Sequence, residues 1–144
     1  MIQFEIHGDP IPQKQTRFAR GRAYNPSAKE AQSILWQIKP YAPSSPLTCS
    51  VRVDLHFFFE PIKSVSRTLR TQMLNGVVHH IKKPDVDNLA YLITNIMKGV
   101  FYADDAQIVD LRMTKRYHES AHTLVRIIPI DSFQPTRIDD DLPI

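Results

Sequence analysis

The run from Leu89 to Val100 constrains the fold more than any other part of the chain. Leu89, Leu92, Ile93, Ile96, Met97 and Val100 recur at intervals of three and four residues, the period of a helix with one buried face. Gly99 stands where such a helix stops, and Asp85, just after Pro84, stands where it starts. The helix is about 18 Å long at 1.5 Å per residue, and its stripe must rest on an apolar surface. Val51, Val53, Leu55, Phe57 and Phe59 alternate strictly with other residues, which predicts a strand with one face in the core.

The other elements follow from the same periods. Ile2, Phe4 and Ile6 predict a short strand before Gly8 and the break at Pro10 and Pro12. Ser27 and Glu30 have capping-box spacing, and the helix they open runs to about Ile38 with Ala31, Ile34, Leu35 and Ile38 buried. Trp36 falls outside that stripe, as partial packing or a dimer contact would place it. Ile108 to Tyr117 and Thr123 to Ile130 read as two strands joined at Glu119 and Ser120. The order β-α-β-(β)-α-β-β predicts a small single-domain α/β (α+β) fold with a mixed sheet and two main helices. The bracketed strand marks the weakly patterned stretch after Pro61. The domain is expected over 1–133, with an acidic tail at 134–144.

At 144 residues the chain has room for one real core. The single Cys49 excludes an intramolecular disulfide and cannot by itself make a zinc site. No apolar run is long enough to span a membrane, and the N-terminus lacks a signal-peptide pattern, so a cytoplasmic setting is expected.

Charge is unevenly spread. Asp139, Asp140 and Asp141 stand in a row, so the rest of the chain is more basic than its net charge of +3 implies. Lys14, Arg17, Arg20 and Arg22 fall in one acid-free stretch, and Lys63, Arg67, Arg70, Lys82 and Lys83 in another. Both stretches are rich in Pro, Gly, Ser and Gln and read as loops. Such loops suit phosphate contacts with a polyanion, or they simply keep the protein soluble.

The acidic residues form two pairs. Asp85 and Asp87 flank the helix start in the run Lys82 to Asn88. Asp85 has an ordinary explanation as an N-cap, but Asp87 does not. Two carboxylates this close repel unless a cation neutralises them, and hard oxygen donors suit Mg²⁺ or Mn²⁺. Asp104 and Asp105 follow the helix after a short aromatic turn. They reach the first pair only if the next strand runs back beside the helix start, or if a second subunit contributes.

The run KKPDVDNLAYLITNIMKGVFYADDAQIVD resembles the core of the RusA family of Holliday junction resolvases, with its Asp-x-Asp-Asn-Leu, helix and later Asp-Asp-x-Gln. The likeness extends to GDPIPQKQTRFARGRAYNP and to the HHIKKPD approach, and so covers most of the chain. It implies a homodimer acting on branched DNA, with Asp85, Asp87 and Asp105 as catalytic carboxylates holding Mg²⁺. It also implies Asp104 as a secondary member of the metal set and Asn88 as support. Phosphodiester hydrolysis is the expected reaction. Arg17, Arg20, Arg22, Arg67 and Arg70, with Lys14, would grip DNA, and Phe18 and Tyr24 would pack on sugars or bases.

One position departs from the family pattern. A lysine usual two residues after the Leu is replaced by Tyr91. Either Lys98, Lys82 or Lys83 takes over its role, or cleavage is weakened and the protein mainly binds branched DNA. A zinc or manganese hydrolase using His79 and His80 with Asp85 and Asp87 is a further alternative, while His7 and His56 read as structural. The C-terminal run Asp139 to Ile144 resembles the acidic tip of bacterial single-stranded-DNA-binding proteins, which implies docking on a repair protein. The simpler reading is an acidic tail that discourages non-specific DNA binding.

Overall fold

A computed structural model of the chain describes residues 1–130. The acidic tail at 134–144, its boundary at 133 and the docking role of Asp139 to Ile144 lie outside the described residues.

The main sheet has four strands: β1 (Ile2–His7), β4 (Ser50–Phe59), β5 (Ile108–Tyr117) and β6 (His122–Ile130), in the order β1-β6-β4-β5. β6 runs antiparallel to both β1 and β4, whereas β5 runs parallel to β4. The sheet is therefore mixed, as expected. Helices α1 (Ala28–Ile38) and α3 (Val86–Met97) provide the apolar stripes that cover one of its faces.

The period-two pattern of β4 sends Val51, Val53, Leu55 and Phe57 into that covered face, all buried. Phe4 and Ile6 of β1, Val125 and Ile127 of β6, and Ile34 and Ile38 of α1 complete the layer. From α3 come Leu89, Leu92, Ile93 and Met97, with Ile96 and Val100 partly buried at the margin. Each fully buried side chain of this size contributes roughly 1.5–3 kcal/mol. The helix stops at Met97, two residues before Gly99, whose φ of 77° suits a glycine. Tyr102 folds back beneath it, and its buried hydroxyl donates to the Thr94 carbonyl at 2.7 Å.

On the opposite face Arg52 holds the buried Asp54 through bonds of 2.8 and 2.9 Å. Asp54 lies opposite Arg112 and Arg126 in the neighbouring strands. This face is charged, with Asp54 its buried acid. His56 sits there too, with its Nδ1 2.6 Å from the Thr114 hydroxyl, and His7 lies on β1, both within strands as expected.

Three local expectations are revised. The Ser27 side chain does not cap α1; its hydroxyl accepts from the Lys14 backbone N–H at 2.9 Å, so the capping box does not form. The first basic stretch is not all loop: β2 (Arg17–Ala19) and β3 (Arg22–Tyr24) form an antiparallel hairpin. Its two-residue turn has positive φ at both Arg20 (51°) and Gly21 (73°), the twist that joins short strands tightly. Where a further strand was allowed after Pro61, the chain forms a third helix, α2 (Arg67–Leu74). Ser66 caps it by accepting from the Leu69 N–H at 3.1 Å, and Met73 is its buried residue.

Candidate active site

Asp85 occupies the N-cap position of α3, yet its side chain makes no capping hydrogen bond. Both its oxygens accept from the Lys83 ammonium, at 2.9 and 3.0 Å. This bond, and then the charges of Asp85 and Asp87, raise the Lys83 pKa above its ordinary value. Asp87 lies in the first helical turn, and Asp85, Asp87 and Asn88 are all exposed. The helix start thus presents two carboxylates to solvent, beside a dipole end that favours negative charge.

Asp104 and Asp105 differ from one another in use. Asp104 caps a 3-10 turn at Asp105–Gln107: its carboxylate accepts from the Ala106 N–H at 3.1 Å. The Gln107 side-chain oxygen accepts from the Asp104 N–H at 2.7 Å in return. Gln107 also donates to the Leu47 and Cys49 carbonyls, which fixes the turn against the chain entering β4. Asp105 has no such employment, and its Oδ1 is buried without a hydrogen-bond partner. Burial, and secondarily the Asp105 charge, push the Tyr102 hydroxyl well above its ordinary pKa, so it remains a donor.

The two pairs stand at opposite ends of α3. Lys98, at the C-terminal end, lies 4.0 Å from Asp104, while Asp85 stands at the N-terminal end, 12 helical residues away. At 1.5 Å per residue the separation is roughly 15–20 Å. β5 does run back beside α3, but it leaves Asp105 behind. The residue that arrives at the helix start is Lys115, whose ammonium donates to the Lys82 and Pro84 carbonyls at 2.7 and 3.0 Å. Among the described residues no three acidic, histidine or cysteine side chains gather closely enough to hold a metal ion. Asp85, Asp87 and the unpartnered oxygen of Asp105 have the donor chemistry for a hard divalent cation, but one chain does not bring all three together.

The candidate lysines divide in the same way. Lys82 and Lys83 flank the Asp85 end and are exposed; Lys98 belongs with Asp104. Tyr91, 58% exposed, lies on the open side of α3. Lys115 was missed by sequence reasoning, although a signal existed. It shares a strand face with Met113 and Tyr117 and lies opposite the buried Phe57, an unusual place for an unemployed lysine.

Cationic elements converge on the Asp85 end. The Gln13 N–H donates to the Asn88 carbonyl at 3.1 Å, which roots the arm leading to the hairpin beside the first turn of α3. Arg17, Arg20 and Arg22 of that hairpin are exposed, as are Lys14 and the aromatic Phe18 and Tyr24. At the same end of the sheet, α2 borders a cleft with Phe58 and Tyr117, near the ends of β4 and β5, and carries exposed Arg67 and Arg70.

The histidines do not join the acids. The His80 ring stacks on Phe59 at 4.2 Å and meets Tyr117 at 5.1 Å, with its Nδ1 buried and unpartnered. Burial is the main cause of its lowered pKa. His79 is exposed. Trp36 is 67% exposed, with the Lys39 ammonium 5.8 Å above its ring. Among the described residues no helix is long and apolar enough to cross a membrane.

The chain is similar to the uncharacterised protein YqaN of Bacillus subtilis (strain 168), with 27% identity over 134 residues, covering 88% of this chain and 94% of that protein. The family model described as endodeoxyribonuclease RusA matches residues 7–128, a span that holds both acidic pairs, the basic hairpin and α2. The chain belongs to the RusA endodeoxyribonuclease family.

Proposed function

We propose that the protein is a Mg²⁺-dependent, structure-specific endodeoxyribonuclease that resolves Holliday junctions by paired nicks in DNA recombination and repair. Membership of the family supports endonuclease activity on branched DNA. The observation that carries the proposal in this chain is the rooting of the basic hairpin beside the helix start that exposes Asp85 and Asp87, with the basic helix α2 at the same end of the sheet.

Asp85 and Asp87 of one subunit would hold the divalent cation with Asp105 of the partner subunit in a homodimer. The separation of the two pairs along α3 and the idle oxygen of Asp105 support this sharing. Mn²⁺ fits the same donors. When bound, the cation supplies charge screening at the phosphate and lowers the pKa of water. Arg17, Arg20 and Arg22 would hold backbone phosphates from the hairpin, and Arg67 and Arg70 from α2. Lys83, already at Asp85, is placed to move onto a phosphate oxygen once the carboxylate is taken up. Asn88 supports the turn by accepting the Gln13 N–H through its carbonyl. Two-fold symmetry would set two such sites on opposing strands of a four-way junction.

The exposed Tyr91 favours one alternative, a branched-DNA-binding protein of the same fold with weakened cleavage. Nicking of a synthetic four-way junction with and without Mg²⁺ separates the two. Wild-type protein should nick only with the cation, and Asp87→Asn should bind the junction without nicking it. Binding without nicking by the wild type would favour the alternative, and unchanged nicking by Asp87→Asn would reject the assignment of Asp87.

A further inference from the structure

A groove of about 820 Å³ opens beside the acidic turn, between α1, α3 and the arm leading to the hairpin. Its floor is apolar, from Leu35, Leu92 and Ile96. Its walls are rich in amides, and among the described residues no carboxylate lines it and Lys14 is the one charged side chain that does. One wall is held rigid by its own bonds. The Gln13 amide donates to the Asn25 side chain at 3.2 Å, and that oxygen also accepts from the Ser27 N–H at 2.9 Å.

The other walls carry amides free for a ligand. Asn88, Tyr91 and Asn95 form one ridge on α3, spaced by three and four residues, and Gln32 faces the groove from α1. These four side chains are exposed, and among the described residues the three amides make no side-chain hydrogen bond within the protein. The ridge begins at the residue after Asp87, and Tyr91 lies about 6 Å further along the axis.

An amide offers a donor and an acceptor side by side, which matches the edge of a nucleobase. An exposed aromatic ring offers a stacking surface for its flat face. The volume is in the range that holds a ligand of nucleotide size. Lys14 at the rim would exchange its 3.7 Å contact with Glu30 for one attached phosphate. The groove thus differs from the arginine-bearing hairpin and α2: the groups it offers are neutral amides and one aromatic ring, with a single lysine at the rim.

We propose that this groove captures one unstacked nucleobase next to the scissile phosphate. Tyr91 is its stacking platform, and Asn88, Asn95 and Gln32 read its edge, so the groove sets the base preference of cleavage. This rests on the nuclease reading above, but base capture is measurable without cleavage.

The test uses synthetic four-way junctions with 2-aminopurine placed in turn at each position beside the branch, bound by the full-length protein without divalent cation. At one position the emission should differ between the wild type and Tyr91→Ala, with Tyr91→Phe matching the wild type. Junction affinity should fall about fivefold or more in Tyr91→Ala and recover in Tyr91→Phe. With Mg²⁺ present, varying the base at that position should change wild-type nicking by about tenfold, and the double variant Gln32→Ala with Asn95→Ala should narrow this to about twofold. Equal emission with all three proteins at every position overturns the proposal, as does an unchanged base preference in the double variant. Absence of nicking together with Tyr91-dependent emission would reject the nuclease reading and leave base capture standing. A groove filled by a second copy would appear as Tyr91→Ala altering the sedimentation of the free protein but not the emission, which also overturns the proposal.

Discussion

One ammonium group, that of Lys83, bonds both carboxylate oxygens of Asp85, at 2.9 and 3.0 Å. Asp85 stands where a helix cap belongs but gives its oxygens to this lysine instead of to the helix N–H groups. The lysine therefore occupies the donor atoms that a cation would need.

Replacing Lys83 with Met should remove that competition. The pair lies at the surface, so the effect is small, with up to about fivefold less Mg²⁺ needed for half-maximal nicking. Titrating Mg²⁺ against nicking at saturating junction measures it. A higher Mg²⁺ requirement would mean that Lys83 helps to hold the site rather than competing within it.

Asp104 and Asp105 are neighbours with opposite expectations. Asp104→Ala removes a reciprocal cap and should cost about 1 kcal/mol in stability. Asp105→Asn should leave stability nearly unchanged, because its buried oxygen has no partner to lose, and should abolish nicking. Thermal unfolding and nicking measured on both variants check the contrast. A large loss of stability in Asp105→Asn would make that residue structural.

Mild acid should destabilise the fold through His80 and His56. Burial lowers both pKa values below the ordinary histidine value of about 6.5. The unfolded chain then takes up protons first as pH falls. Stability present above about pH 6.5 is lost below it, until the folded pKa is reached. Unfolding at pH 7.5 and 5.5 should show the drop, and His80→Phe, which keeps the stack on Phe59, should reduce it. An equal drop in the variant would clear His80.

The hairpin should act through phosphates. Arg17→Ala, Arg20→Ala or Arg22→Ala should each weaken junction binding and lower the slope of log affinity against log salt by about 0.9 per lost contact. Binding measured across a salt series tests this. An unchanged slope in all three would place the hairpin off the DNA.

The elements legible in the sequence were those with enough apolar residues to show a period. α3 and β4 were legible because Leu89 to Met97 and Val51 to Phe57 each fill a face of the core. α2 buries Met73 alone, so no period marks it. The hairpin spans two strands of three residues each, all exposed, and its Arg20-Gly21 turn lacks the usual Asn-Gly or Asp-Gly signal. At the site, the closeness of Asp85 and Asp87 followed from the helix start. The distance to Asp105 depended on which residue of β5 returns to that start, and only the parallel pairing with β4 settled it in favour of Lys115.

The sharing of carboxylates between subunits is tested most directly by mixing two inactive variants, Asp87→Asn and Asp105→Asn. In a mixed dimer, one site would combine Asp85 and Asp87 from one subunit with Asp105 of the partner subunit, all unmodified. Random exchange of subunits should then restore nicking at about a quarter of the sites, with single nicks rather than paired ones. Mixed dimers that form, bind the junction and stay as inactive as either variant alone would contradict the shared site.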